Sequence, residues 1–274
     1  MPIPCRLASR GNEPDTVVRA GSARFGDGGF ALIGGPCSVE SEEQIRRVAA
    51  TVGHAGGAML RGGAWKTRTS PYDFQGLGDA AVDLIAAAGA ATPLPVVVEA
   101  LCEAHVARLA RRVAMIQIGA RNMQNVELLR CAGRSGLPVL LKRGPSATLD
   151  ELLLAAEYLL LEGCRGVVLC ERGIRGFDPS TRNVLDLGGA LRLKELTHLP
   201  VIVDPSHATG RRSLIEPLVL AAAAAGLDGA IVEVHPHPDA ALSDAAQAID
   251  CPTFARIARG AARVLATLTY ELSA

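Results

Sequence analysis

Short apolar runs punctuate the chain at regular intervals: Phe30–Ile33, Ala58–Leu60, Pro95–Val98, Ala114–Ile118, Pro138–Leu141, Gly166–Leu169, Pro200–Val203 and Gly229–Val232. Each is apolar at consecutive positions rather than alternating, the pattern of a strand buried on both faces in a parallel sheet. Between them lie Ala- and Leu-rich amphipathic stretches of helical length, clearest at Ile45–Val52, Ala80–Ala88, Val126–Cys131, Leu149–Leu161, Leu214–Ala225 and Phe254–Leu268. Ser41 followed by Gln44 predicts a capping box at the start of the first helix. Eight strand–helix units with a mean strand spacing of about 28 residues predict an α/β fold, a closed (β/α)₈ TIM barrel. A doubly wound open sheet is the alternative, and the lack of a Gly-rich first turn argues against it. No linker or composition break divides the chain, so residues 29–274 are expected to form one catalytic barrel. Residues 1–28 are expected to be a short extension, with Thr16–Ala20 and Ala23–Phe25 turning near Gly21 as a hairpin that plugs the barrel bottom.

Composition narrows the function. The 274 residues suit a single barrel, which typically takes about 250. A net charge of zero argues against a polybasic nucleic-acid binder, and 3% aromatic residues argue against base-stacking platforms. The longest apolar candidate, Leu84–Val98, is interrupted by Gly89, Pro93 and Pro95 and falls short of the ~18 residues that span a bilayer. The start, MPIPCRLASR, has no apolar signal core. Seven cysteines without a CxxC pair suggest no disulfide framework, so a reducing cytoplasm is expected. Only three of the 28 basic residues are lysines: Lys66, Lys142 and Lys194. An ammonium can transfer a proton where a guanidinium hardly can, so these lysines are candidates for chemistry rather than charge alone.

In a barrel, function gathers where strands end. All eight predicted ends carry polar groups, and the cations Arg61, Lys66, Arg68, Arg121, Lys142 and Arg172 would share one mouth. One such residue has an ordinary explanation as an ion-pair partner. Six together call for anionic small substrates bearing phosphates or carboxylates. Gly119-Ala120-Arg121 adds small residues whose backbone N–H groups can approach a phosphate. Cys37, His207 and Glu233 end the first, seventh and eighth strands, which become neighbours on closure, and Asp244 in the last loop offers a fourth ligand. One soft, one borderline and two hard donors suit Mn²⁺, Fe²⁺, Co²⁺ or Zn²⁺ better than Mg²⁺ or Ca²⁺. Singly, a strand-end Cys is most often a small buried hydrophobe, and His235 and His237 compete as ligands. The other cysteines read as structural.

The stretches GGPCSVES, LRGGAWKTRTSPYDFQGLG, IQIGARNMQN, VLLKRG, LCERGIR, TRNVLD, VDPSH, GRR, IVEVHPHP and ALSDAAQ, in this order from about residue 29 to the end, resemble the 3-deoxy-D-arabino-heptulosonate 7-phosphate (DAHP) synthases. The resemblance is to the microbial subgroup related to the 3-deoxy-octulosonate 8-phosphate synthases. It implies a metal-dependent condensation of phosphoenolpyruvate with erythrose 4-phosphate, the first step of the shikimate route to aromatic amino acids. It also implies a homo-oligomer. By the same resemblance Cys37, His207, Glu233 and Asp244 match metal ligands. Arg61, Lys66 and Lys142 match groups around the phosphoenolpyruvate carboxylate and reacting carbons, and Gly119, Ala120, Arg121 and Arg172 its phosphate site. Arg68, Thr69 and Asp204 match the erythrose 4-phosphate site, Glu99 would orient a water, and Lys66 would act as general acid.

Two positions depart from the family's pattern. Thr67 replaces a usual Pro, which loosens the loop, and Asp244 is followed by Ala245-Ala246 rather than Gly and a polar residue. The sister enzymes that use arabinose 5-phosphate usually carry one more residue between this lysine and arginine, so Thr67-Arg68-Thr69 favours the four-carbon aldose. A non-catalytic metabolite-binding barrel is the alternative from another class. With about 28 residues ahead of the first barrel strand, an appended regulatory domain is not expected, and any feedback control would come from a partner protein.

Overall fold

A computed structural model describes residues 5–11, 13–68 and 70–272. Two short strands, β1 (Val18–Ala20) and β2 (Ala23–Phe25), pair antiparallel around Gly21. The barrel strands follow as β3 (Ala31–Gly35), β4 (Met59–Arg61), β5 (Val96–Ala100), β6 (Met115–Ile118), β7 (Val139–Lys142), β8 (Val167–Glu171), β9 (Val201–Val203) and β10 (Gly229–Glu233). Every neighbouring pair is parallel, and β10 closes on β3 with Ile231 opposite Ile33 and Glu233 opposite Gly35. The helices are α1 (Glu42–His54), α2 (Asp79–Ala91), α3 (Glu103–Leu109), α4 (Val126–Arg134), α5 (Leu149–Leu161), α6 (Leu187–Leu196), the single turn α7 (Pro205–Thr209), α8 (Ile215–Ala224) and α9 (Cys251–Leu272). This is the expected TIM barrel, with an N-terminal hairpin.

Strand periodicity sorts the core into two layers. Leu32, Leu60, Val98, Ile116, Leu141, Leu169, Val203 and Val232 face the helices. Ile33, Met59, Val97, Met115, Leu140, Val168, Ile202 and Ile231 fill the barrel interior, where the hairpin adds Val18, Ala20, Ala23 and the fully buried Phe25. Side chains two residues further along each strand share the inward face, so at the C-terminal ends they line the cavity or lie sealed directly beneath it. Met59 leads to Arg61, Val97 to Glu99, Met115 to Gln117, Leu140 to Lys142, Ile202 to Asp204 and Ile231 to Glu233. At Gly35 the backbone φ is +155°, and a Cβ would overlap the Arg61 carbonyl oxygen, so glycine lets β3 and β4 close up here.

The helix caps are built locally. Ser41 Oγ accepts from Gln44 N at 3.1 Å, but the Gln44 side chain accepts from Glu40 N rather than from the cap residue itself, so the expected box is completed one residue early. A full capping box instead opens α5, between Thr148 and Glu151. Among the described residues no helix is long and apolar enough to cross a membrane, and the seven cysteines are free thiols.

Candidate active site

The strand ends open onto a cavity of about 560 Å³. Seven cationic side chains line it (Lys66, Arg68, Arg121, Lys142, Arg172, Arg175 and Arg182) against three carboxylates, Asp73, Glu99 and Asp244. Gln117, Gly119, Ala120, Asn183 and His207 complete much of the wall. Five of the six cations expected from the sequence are thus brought together. Arg61, the sixth, is buried beside Glu233, its Nη1 3.1 Å from Glu233 Oε1. Thr69 lies outside the described residues. Arg175, Arg182, Gln117 and Asn183 were not singled out by sequence. Gln117 was legible from strand parity, whereas the other three ride on the irregular segment after β8, where no periodicity applies.

The loop after β4 carries Lys66 and Arg68. Trp65 anchors it by stacking on His105 of α3, with ring centroids 3.7 Å apart, and Lys66 N donates to Gln75 O at 2.9 Å. Lys66 Nζ then reaches Cys37 Sγ at 2.8 Å and Cys37 O at 3.2 Å. Burial opposes the ammonium, but its contact with the Cys37 sulfur and the nearby Glu233 and Glu99 carboxylates outweigh that and raise the Lys66 pKa. Arg121 donates to the Thr67 carbonyl at 2.8 Å, and Arg68 lies 3.4 Å from Asp73. Among the described residues Arg172 has no hydrogen-bond partner for its guanidinium, and burial lowers its pKa. A half-buried cation without a side-chain partner, facing a cavity, is a ready receptor for an anion.

Behind the cavity, ionic contacts run from β7 to β4. Lys142 Nζ lies 2.5 Å from Asp204 Oδ2, which also takes His207 Nδ1 at 2.7 Å; Asp204 Oδ1 accepts from His207 N at 3.0 Å. Asp204 is fully buried with both oxygens used, and it does not line the cavity. Burial raises its pKa, but His207 and Lys142 hold it well below the carboxylate range. His207 Nε2 stands 3.2 Å from Glu233 Oε1. Burial likewise works against the Glu233 carboxylate, and His207 and Arg61 keep it ionised.

Cys37 Sγ, a Glu233 oxygen and an Asp244 oxygen lie within 4.8 Å of one another. Sγ donates to Asp244 Oδ2 at 3.0 Å. Burial, with Glu233 nearby, pushes the thiol pKa up to about 12. These residues fit a divalent metal on their own chemistry. His207, with Nδ1 2.7 Å from Asp204 Oδ2 and Nε2 3.2 Å from Glu233 Oε1, adds an imidazole nitrogen beside them, and a thiol, an imidazole and two carboxylates form a donor set that suits a divalent transition metal. Asp244 adopts φ +53°, ψ 35°, a left-handed conformation that costs non-glycine residues energy and that Asp tolerates better than most.

The chain matches the family described as the DAHP synthetase I family over residues 15–266. It is 48% identical over 252 residues to phospho-2-dehydro-3-deoxyheptonate aldolase of Thermotoga maritima, spanning 92% of this chain and 75% of that protein. The crystal structure of that aldolase (DAHP synthase) from Thermotoga maritima superposes with a TM-score of 0.93 at 45% identity, covering 96% of this chain and 77% of the other. A 2-dehydro-3-deoxyphosphooctonate aldolase of Desulfotalea psychrophila is 33% identical, over 87% of this chain and 88% of its own length.

Proposed function

The chain belongs to the DAHP synthetase I family and is an enzyme of the DAHP synthase class, and from that premise we propose that it condenses phosphoenolpyruvate with erythrose 4-phosphate and water to DAHP and phosphate. The observation that carries this reading is the cavity with seven cations against three carboxylates. Two phosphate monoesters at about −1.5 to −2 each, plus a carboxylate, supply the missing negative charge.

The roles follow from position. Arg172 and Arg121, with the backbone at Gly119 and Ala120, take the phosphate of phosphoenolpyruvate. Lys142 and Lys66 take its carboxylate and flank the reacting carbons, with Arg61 behind them paired to Glu233. Arg68 and the neighbouring Thr69 take the aldose phosphate. Asp204, with both oxygens engaged by Lys142 and His207, serves by fixing those two side chains rather than by touching the sugar. Cys37, His207, Glu233 and Asp244 would hold a divalent metal, which supplies Lewis-acid polarisation of the aldehyde when bound.

The phosphoenolpyruvate C3 attacks the aldehyde carbon, forming the C–C bond, while Lys66 gives a proton to the developing alkoxide. Water oriented by Glu99 adds to C2 and loses a proton to that carboxylate. The resulting hemiketal phosphate breaks its C–O bond, phosphate leaves, and the C2 hydroxyl becomes the ketone as its proton departs. Lys66 is reprotonated before the next turnover.

Phosphate release measured with each aldose phosphate tests the assignment. The short Lys66–Arg68 spacing favours the four-carbon substrate, so kcat/KM for erythrose 4-phosphate is expected to exceed that for arabinose 5-phosphate by at least about tenfold, roughly 1.4 kcal/mol in transition-state binding. Equal values, or preference for the five-carbon sugar, would place the chain with the phosphooctonate branch.

A further inference from the structure

Glu233 Oε2 accepts from Gln247 Nε2 at 2.6 Å, while Gln247 Oε1 accepts from Arg182 Nη1 at 3.1 Å. The orientation of this amide is fixed by its neighbours, because a guanidinium only donates and a carboxylate only accepts. Gln247 is 3% exposed, and its backbone N–H donates to Asp244 O at 3.1 Å, closing the tight turn that holds Asp244 left-handed. Arg182 also stands 3.7 Å from Asp244 Oδ1. One arginine at the cavity wall thus bears on two of the four metal-ligand candidates, on Asp244 by charge and on Glu233 through the amide. Two residues beyond Gln247, Ile249 bridges Val234 and ties the whole segment to the end of β10.

We propose that Gln247, held by Arg182, is a positioning residue that aims the Glu233 carboxylate and the Asp244 turn at one metal ion. The physical reason is direct. Glu233 has Arg61 and His207 on Oε1, so among the described residues the Gln247 amide is the side-chain donor that fixes the rotation of Oε2. Without it the carboxylate turns about its terminal torsion, which is soft, and the ligand set loses its preformed geometry. Outer hydrogen bonds of this kind are worth about 10–100-fold in metal affinity. The inference rests on the metal-site reading above.

The test is Mn²⁺ binding at fixed pH, measured on metal-stripped protein by competition with a chromophoric chelator, for wild type, Cys37→Ser, Gln247→Leu and Arg182→Leu. Wild type is expected to bind one ion, and Cys37→Ser to lose it. Gln247→Leu is expected to weaken binding about 10–100-fold, and Arg182→Leu in the same direction by less. Arg182 is partly exposed, so that variant keeps the test alive should Gln247→Leu not fold. If wild type binds no ion, the metal-site reading itself fails. If wild type binds and Cys37→Ser does not, yet both positioning variants bind within twofold of wild type, the inference is overturned. A purely structural role would lower the metal-free melting temperature and leave the affinity of the folded protein unchanged.

Discussion

Lys66 and Lys142 stand at the cavity, whereas Lys194, the third lysine, pairs with Asp228 at 2.8 Å away from it. Two of the three lysines thus line the cavity in which the proposed reaction would need a proton donor. The charge and the proton of Lys66 can be separated. Lys66→Arg keeps a cation near Cys37 but removes a practicable proton donor, so kcat is expected to fall by about 10²–10⁴-fold while phosphoenolpyruvate still binds. Arg172→Lys, at the position proposed to bind phosphate, is expected to act mainly on the KM for phosphoenolpyruvate. Steady-state kinetics of the two variants check this, and identical profiles would reduce Lys66 to a counter-ion. Cys37 yields a prediction with a definite sign. Its thiol pKa stands at about 12, raised by burial and by Glu233, so the thiol is protonated at neutral pH and a metal must displace that proton. Lowering pH strengthens the competing proton, and the apparent Mn²⁺ affinity is expected to fall about tenfold per pH unit through the neutral range. An affinity independent of pH would remove the thiolate from the ligand set.

At the scale of elements, the strands were legible and the smaller helices were not. All eight barrel strands overlap apolar runs read from the sequence, because a strand buried on both faces is hydrocarbon along most of its length, the polar residues gathering at the C-terminal ends. α3 was passed over because it spans only seven residues and buries only Val106 and Leu109. α6 was hidden by Gly188 and Gly189 in its first turn, where Asp186 caps the helix by accepting from Gly189 N at 2.7 Å. Gln117 could have been found by counting two residues beyond Met115 in the inner layer. The hairpin was anticipated from Gly21 and the flanking short runs, and its worth can be measured. Phe25 is fully buried among Ile33, Met59 and Val97, so Phe25→Ala is expected to cost about 3–5 kcal/mol in unfolding free energy. Denaturant titration reads this, with catalytic constants of the folded variant little changed, since the hairpin lies at the opposite end from the mouth. A loss under about 1 kcal/mol would show that the hairpin only rests on the barrel.

For the whole molecule, ring closure is what assembles the site. Cys37 follows β3, His207 follows β9 and Glu233 ends β10; they are 170 or more positions apart in sequence for Cys37 and its partners, yet closure makes their strands neighbours in the order β9-β10-β3. That juxtaposition could be read from the chain once eight units had been counted. The placements of Arg175, Arg182 and Asn183 could not, because an irregular loop is fixed by its tertiary contacts, here Ile174 bridging Val184 and Arg211 donating to Ser180 O at 2.6 Å. Nor did the sequence show that Asp204 is sealed beneath the cavity by Lys142 and His207. The central claim is that a metal held by Cys37, His207, Glu233 and Asp244 and a phosphate-binding mouth act as one catalyst. It is tested most directly by phosphate release from phosphoenolpyruvate and erythrose 4-phosphate with protein freed of metal by a chelator. The account predicts no turnover from the stripped protein and recovery on adding about one equivalent of Mn²⁺ or Co²⁺, with no recovery in Cys37→Ser. Full turnover by the metal-free protein would contradict it.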